Sequence, residues 1–202
     1  MKKFIMVSPF QPVDSMKKGH IYTPENNPDL NYTETSFPII PVINAYAEKD
    51  EEIEIIAVVS EYKNAEDNFE LFKNEIEKLS KEKGFVCDEI KKVSVPYSDD
   101  LDSQLEMFGK LIDYTSDNDM LYADITYGSK VMTQILTMAV NYGYRIHKNV
   151  ALGCIVYGKF DHMLQKASIY DVTSLNYMDE IVRVMAENKI SNPTEKIKKL
   201  LK

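Results

Sequence analysis

Residues 52–60 hold Ile53, Ile55, Ile56, Val58 and Val59, a nearly continuous β-branched run that constrains the fold more than any other feature of the chain. A strand with one wet face alternates apolar and polar residues. A run without alternation belongs to a strand covered on both faces, as in a parallel sheet held between helices. Short apolar runs recur at residues 3–8, 120–125 and 150–157, with a weaker one at 91–96. Between them the period changes to that of a helix. Phe69, Phe72, Ile76 and Leu79 share one face of a segment at 65–83 that Gly84 ends. Leu105, Phe108 and Ile112 do the same at 101–114, Val131, Ile135, Met138 and Tyr142 after residue 130, and Leu175, Met178, Val182 and Met185 at 174–187.

Strand and helix alternate at least four times, so the expected class is α/β: a Rossmann-like open, mostly parallel sheet with helices on both faces. Residues 168–172 follow the 150–157 strand after a short connection and predict an antiparallel edge hairpin. Ser36-Phe37-Pro38 opens a helix that runs through Ile43 and Ala45. Residues 9–35, rich in Pro, Asn, Asp and Lys, show little periodicity and predict an irregular excursion able to cover a site. Residues 1–190 are expected to form one domain, and 191–202 a linker or a short C-terminal helix.

The chain has 202 residues, 44% of them hydrophobic, which suffices for one substantial core. Its 24 Lys and Arg against 32 Asp and Glu leave a formal net charge of -8. Long polyanions are repelled on average, so broad DNA or RNA binding is not expected, whereas a small anion at a helix N-terminus is compatible. Cys87 and Cys154 are too few for a disulfide scaffold and read as small buried hydrophobes in a reducing compartment. His20, His147 and His162 lack metal-ligand spacing. No metal or cofactor is expected. No apolar run approaches the roughly 20 residues of a membrane span, and the N-terminal run stops at Pro9, too early for a signal peptide. A cytoplasmic location follows as the expectation.

Open α/β sheets bind ligands beyond the carboxyl ends of their strands, where the strand order switches. Two loops qualify. One carries Ser8, Pro9 and Phe10; the other is Asp124-Ile125-Thr126-Tyr127-Gly128-Ser129-Lys130. In the second, a carboxylate can orient the turn, Gly128 lets the backbone approach a ligand, and hydroxyls and N–H groups gather at a helix start, with Lys130 as a point charge. The same residues also suit a plain helix cap and turn. A dinucleotide-binding enzyme is disfavoured, because no G-x-G-x-x-G follows the first strand.

The second loop resembles the D-x-T-H-G-F-R signature of CRISPR-associated sensor proteins with a CARF domain. Asn141-Tyr142, Val156-Tyr157-Gly158-Lys159-Phe160 and Ile169-Tyr170-Asp171-Val172-Thr173 resemble that family's A-x-N-Y, x-Y-Y-G-x-F and I-Y-D-L-T segments in the same order. Thr35-Ser36-Phe37 is similar to its first-helix start. The chain departs from the signature at Tyr127, where the family has His, and at Ser129-Lys130, where it has Phe-Arg. The resemblance implies a homodimer with one shared pocket for a cyclic oligoadenylate, commonly the tetramer, acting in a type III CRISPR antiviral response. Each protomer would supply Ser8, Pro9, Phe10, Ser36, Asp124, Thr126, Tyr127, Gly128, Ser129, Lys130, Tyr157 and Gly158, with Tyr127 stacking on an adenine. Some members cut the ring without metal, and Lys130, Thr126 and Ser8 are the candidates for such ring nuclease chemistry here. The R-x4-6-H motif of an effector ribonuclease is absent: Arg145 and Arg183 have no His at that distance. The chain therefore reads as a stand-alone sensor or ring nuclease, or as a sensor domain whose C-terminal effector lies elsewhere. A ligand-free dimerisation or regulatory module is the alternative from another class.

Overall fold

The computed structural model describes residues 1–201. Its strands are β1 (Lys2–Val7), β2 (His20–Pro24), β3 (Glu34–Thr35), β4 (Ile53–Ser60), β5 (Ile90–Val95), β6 (Met120–Asp124), β7 (Ala151–Asp161) and β8 (Lys166–Asp171). The helices are α1 (Val13–Met16), α2 (Ile39–Tyr46), α3 (Lys63–Lys83), α4 (Leu101–Ile112), α5 (Lys130–Ile146), α6 (Thr173–Glu187) and α7 (Pro193–Leu200). The strands form one sheet in the order β3-β2-β8-β7-β6-β1-β4-β5. The α/β, Rossmann-like class expected from the alternating periods is the class observed.

Five strands, β7-β6-β1-β4-β5, run parallel. The chain starts in the middle, steps outward through β4 and β5, then returns to the other side of β1 for β6 and β7. The order therefore switches between β1 and β6. Burial on both faces accounts for the unbroken apolar runs. Phe4, Met6, Ile55 and Val59 pack with Ile39, Ile43, Phe72 and Ile76 of α2 and α3. Their sequence neighbours Ile5, Val7, Ile56 and Val58 pack on the opposite side with Leu111, Leu136 and Val140 of α4 and α5.

Three expectations need correction. Residues 9–35 are not an irregular excursion: they supply α1, β2 and β3 and a 3-10 turn at Pro28–Leu30. β2 pairs in parallel with β8, so the β7–β8 hairpin, antiparallel as expected, has two further strands outside it. The excursion was illegible because its short strands gain their pairing from β8, far along the chain, rather than from a period of their own. Cys154 is buried, but Cys87 is only half-buried and lines a groove beside α3.

The last pairing between β6 and β7 joins Asp124 to Val156. Beyond it, residues 157–161 continue to pair with β8, so the hairpin rises about 17 Å past the carboxyl edge of the parallel strands. At the opposite, amino edge, Lys3 Nζ pairs with Asp119 Oδ2 at 3.0 Å and Glu54 Oε2 at 3.2 Å. Helix α7 buries none of its side chains. Among the described residues no helix is long and apolar enough to cross a membrane.

Candidate ligand site at the strand switch

Both loops singled out in the sequence flank the switch point, because β1 and β6 are neighbours. They touch. Gly128 has φ +96, and a Cβ there would lie 2.9 Å from Val7 Cγ1, so the turn after β6 can lie against β1 only with glycine at this position.

The loop after β1 is held from below by α3. Ser8 is fully buried, and its hydroxyl donates to the Ala65 carbonyl at 2.7 Å. Asn68, also fully buried, donates to the carbonyls of Pro9 (2.9 Å) and Gln11 (2.8 Å), and Asn64 donates to that of Phe10 (3.0 Å). Ser8 and Pro9 are thus framework rather than ligand contacts, and Ser8 is corrected as a catalytic candidate: its hydroxyl faces its own helix. Phe10 is the half-buried residue the clamp displays.

The loop after β6 contains the lone buried charge of this edge. Asp124 is 1% exposed; its Oδ1 accepts from the Thr126 N–H at 2.8 Å, and its Oδ2 has no hydrogen-bond partner. Burial pushes this carboxyl up to about 6, against the opposing pull of Thr126 and of the Ile39 N–H at the start of α2. The Thr126 hydroxyl accepts from the Gly158 N–H at 2.7 Å, which ties the turn to β7. Gly158 is buried against Pro38.

Tyr127 does not stand free for stacking. Its hydroxyl donates to the Ser36 carbonyl at 2.8 Å, its ring packs against the α2 side of the core, and burial raises its phenol. The Ser36 hydroxyl donates to the Met16 carbonyl and is buried. The expected contacts at Tyr127 and Ser36 are therefore corrected to internal struts: the Tyr127 hydroxyl finds its partner inside the protein. Tyr157 is exposed and stacks with Tyr170 at the base of the hairpin.

What remains presented at the edge is a small set. Ser129 is the N-cap of α5: its Oγ accepts from the Met132 N–H at 3.2 Å and donates to Asp99 Oδ1 at 2.7 Å. Lys130 is exposed at the first position of α5. Phe10 and Ser129 line one cavity of about 280 Å³ together with Ser60, Tyr97, Asp99 and Met132.

Sequence reasoning missed Tyr62, Tyr97 and Asp99, which sit in the loops after β4 and β5. The signal was present, since every parallel strand delivers its following loop to the same edge. Compared with known proteins, the chain matches no family model and no curated protein.

Proposed function

We propose that this chain is a nucleotide sensor that binds a cyclic oligoadenylate, in the manner its sequence resemblance implies, at the edge where β1 and β6 part. One observation carries the reading. The Thr126–Lys130 turn sits at the switch point with a glycine at positive φ, a capped helix start and an exposed lysine side by side. Those elements suit a phosphodiester: the helix end favours negative charge and Lys130 adds a full one.

A second copy of the chain completes the reading. Leu101 and Leu105 of α4, Met138 of α5 and Leu175 of α6 are all at least half exposed, and Met138 and Leu175 line a groove together with Phe108 and Tyr142. A patch of this kind marks an interaction surface. Because α4 and α5 both start at the carboxyl edge, a two-fold axis along this face places two Lys130 turns beside one another, as a ring with internal two-fold symmetry requires. If the ring is also cut, Lys130 is the candidate that stands free, since the Ser8 and Thr126 hydroxyls are engaged internally.

One observation favours the ligand-free dimerisation module instead: the Asp99 carboxylate already accepts from the hydroxyl of Ser129, the N-cap of α5, and puts a negative charge beside that helix start. Calorimetric titration with cyclic tri-, tetra- and hexa-adenylate separates the two. Saturable binding of one ring per dimer, weakened about tenfold by Lys130→Ala for the loss of a charge-assisted hydrogen bond, supports the sensor. Dimers that bind none of the rings support the scaffold. Incubation with excess ring and EDTA, followed by separation of linear products, reads out cleavage.

A further inference from the structure

The loops after β1, β4 and β5 each place one aromatic ring at the carboxyl edge, and the three rings meet. Tyr62 and Tyr97 stack with centroids 4.6 Å apart and planes inclined by 19°. Phe10 stands edge-on to both, at 5.9 Å from Tyr62 and 5.3 Å from Tyr97. Three rings from three loops usually signal a small core, yet this trio is wet: Tyr97 is 58% exposed and Tyr62 36%. Exposed aromatic area of this kind is costly to leave in water and is what a planar ligand covers.

Phe10 and Tyr97 give the 280 Å³ cavity its aromatic lining, and Asp99 and Ser129 are among its polar lining. The polar lining is acidic. Asp99 supplies its carboxylate, while that of the next residue, Asp100, is turned to the start of α4, where it accepts from the Ser103 N–H at 2.9 Å. A phosphate is repelled there, whereas a hydroxyl donor is welcomed. The cavity lies just below the about 300–1,000 Å³ of ordinary small-molecule sites, room for one ring system and a sugar but not for a whole cyclic oligonucleotide.

We infer that the Phe10–Tyr62–Tyr97 cluster and Asp99 form a ribonucleoside subsite, with a nucleobase stacked on the exposed face of Tyr97 and a ribose hydroxyl donating to Asp99. This rests on, and divides, the proposed site: base and sugar lie at the β4–β5 corner and phosphate at Lys130. Ribose and phosphate are a few bonds apart in a nucleotide, and Ser129, bonded to Asp99, immediately precedes Lys130 in the chain. Stacking of one base on one aromatic side chain is strong enough to orient a ligand and tolerant of its identity, so Asp99 supplies the discrimination between ribose and deoxyribose.

The chain contains no Trp, so Tyr97→Trp creates a single reporter at the subsite. Adenosine 5′-monophosphate, 2′-deoxyadenosine 5′-monophosphate and cyclic tetra-adenylate are titrated separately while Trp emission is followed, with calorimetry in parallel. The expected result is saturable quenching by the ribonucleotide with an affinity about tenfold above that of the deoxy form, a ratio that Asp99→Asn brings close to one. Quenching by the mononucleotide in a protein that does not bind the cyclic ring supports the subsite and removes the sensor reading. Calorimetric binding of the ring with unchanged Trp emission keeps the sensor and overturns the subsite. Equal affinity for the ribo and deoxy forms, or no binding of any of the three, overturns it as well.

Discussion

Asp119 and Asp124 bracket the same strand, β6, and both are nearly inaccessible, yet their surroundings are opposite. At the amino edge Asp119 meets the Lys3 ammonium at 3.0 Å and takes the N–H and hydroxyl of Ser116 at 2.8 and 2.9 Å. Burial alone would raise its carboxyl, but those partners outweigh it and hold the group below its ordinary value. At the carboxyl edge Asp124 has no cation beside it and one oxygen without a partner, so burial wins. The difference assigns the two edges different work. One is arranged for stability, whereas the other holds a charge at a cost, and unfavourable charges of that kind concentrate where proteins act on ligands.

The strongest way to break the contrast is to make the two edges alike by taking the cation from Asp119. Lys3→Met leaves the buried carboxylate only the more distant Met1 ammonium, at 3.5 Å, and should cost about 3 kcal/mol in urea unfolding, part of which Lys3→Met/Asp119→Asn recovers. If the single variant loses under about 1 kcal/mol, the amino edge is not the anchor described here.

Asp124→Asn tests the other edge and has the opposite sign. The rise from 3.8 to about 6 is worth roughly 3 kcal/mol, so the variant should be more stable than wild type by up to that amount at neutral pH. The direction with pH follows from proton binding. The folded protein binds the Asp124 proton more tightly than the unfolded chain, so the contribution of Asp124 to stability falls as the pH rises from about 4 to about 6 and is flat above. Asp119 has its pKa depressed on folding, and its contribution is lost as the pH falls below the ordinary carboxyl value. Unfolding free energies measured across this range should lose the upper slope in Asp124→Asn and keep the lower one. A variant with the wild-type slope would show that Asp124 is not the group responsible.

Asn68→Ala sharpens the comparison at smaller cost. It removes the donors of the Pro9 and Gln11 carbonyls, should destabilise by about 2 kcal/mol, and should speed amide exchange in residues 8–11 more than at the amino edge. Uniform exchange across both edges would mean the loop is not clamped.

The five parallel strands and their helices were legible because burial on both faces writes itself into a strand as an apolar run, and burial on one face writes itself into a helix as a period. Gly128 was legible for the same local reason, since it answers to the backbone of its own turn, whereas the cap read at Asp124 and Thr126 is supplied by Ser129. The strands β2 and β3 were not, since their stability comes from β8. Nor was the fate of the hydroxyls. Ser8, Ser36 and Tyr127 are polar residues in edge loops by sequence, but each donates to a carbonyl supplied by another element, Ala65, Met16 and Ser36 respectively.

By itself the sequence determined the layering, the strand that carries Asp124, and the edge to which the loops go, because those depend on period, charge and turn chemistry along a short stretch of chain. Only the tertiary structure decided which side chains of that edge face a ligand, since a donor turns inward or outward according to which acceptor the fold brings within hydrogen-bond reach. It also brought Phe10, Tyr62 and Tyr97 together, three rings separated in the sequence that become neighbours because parallel strands all release their loops on one side.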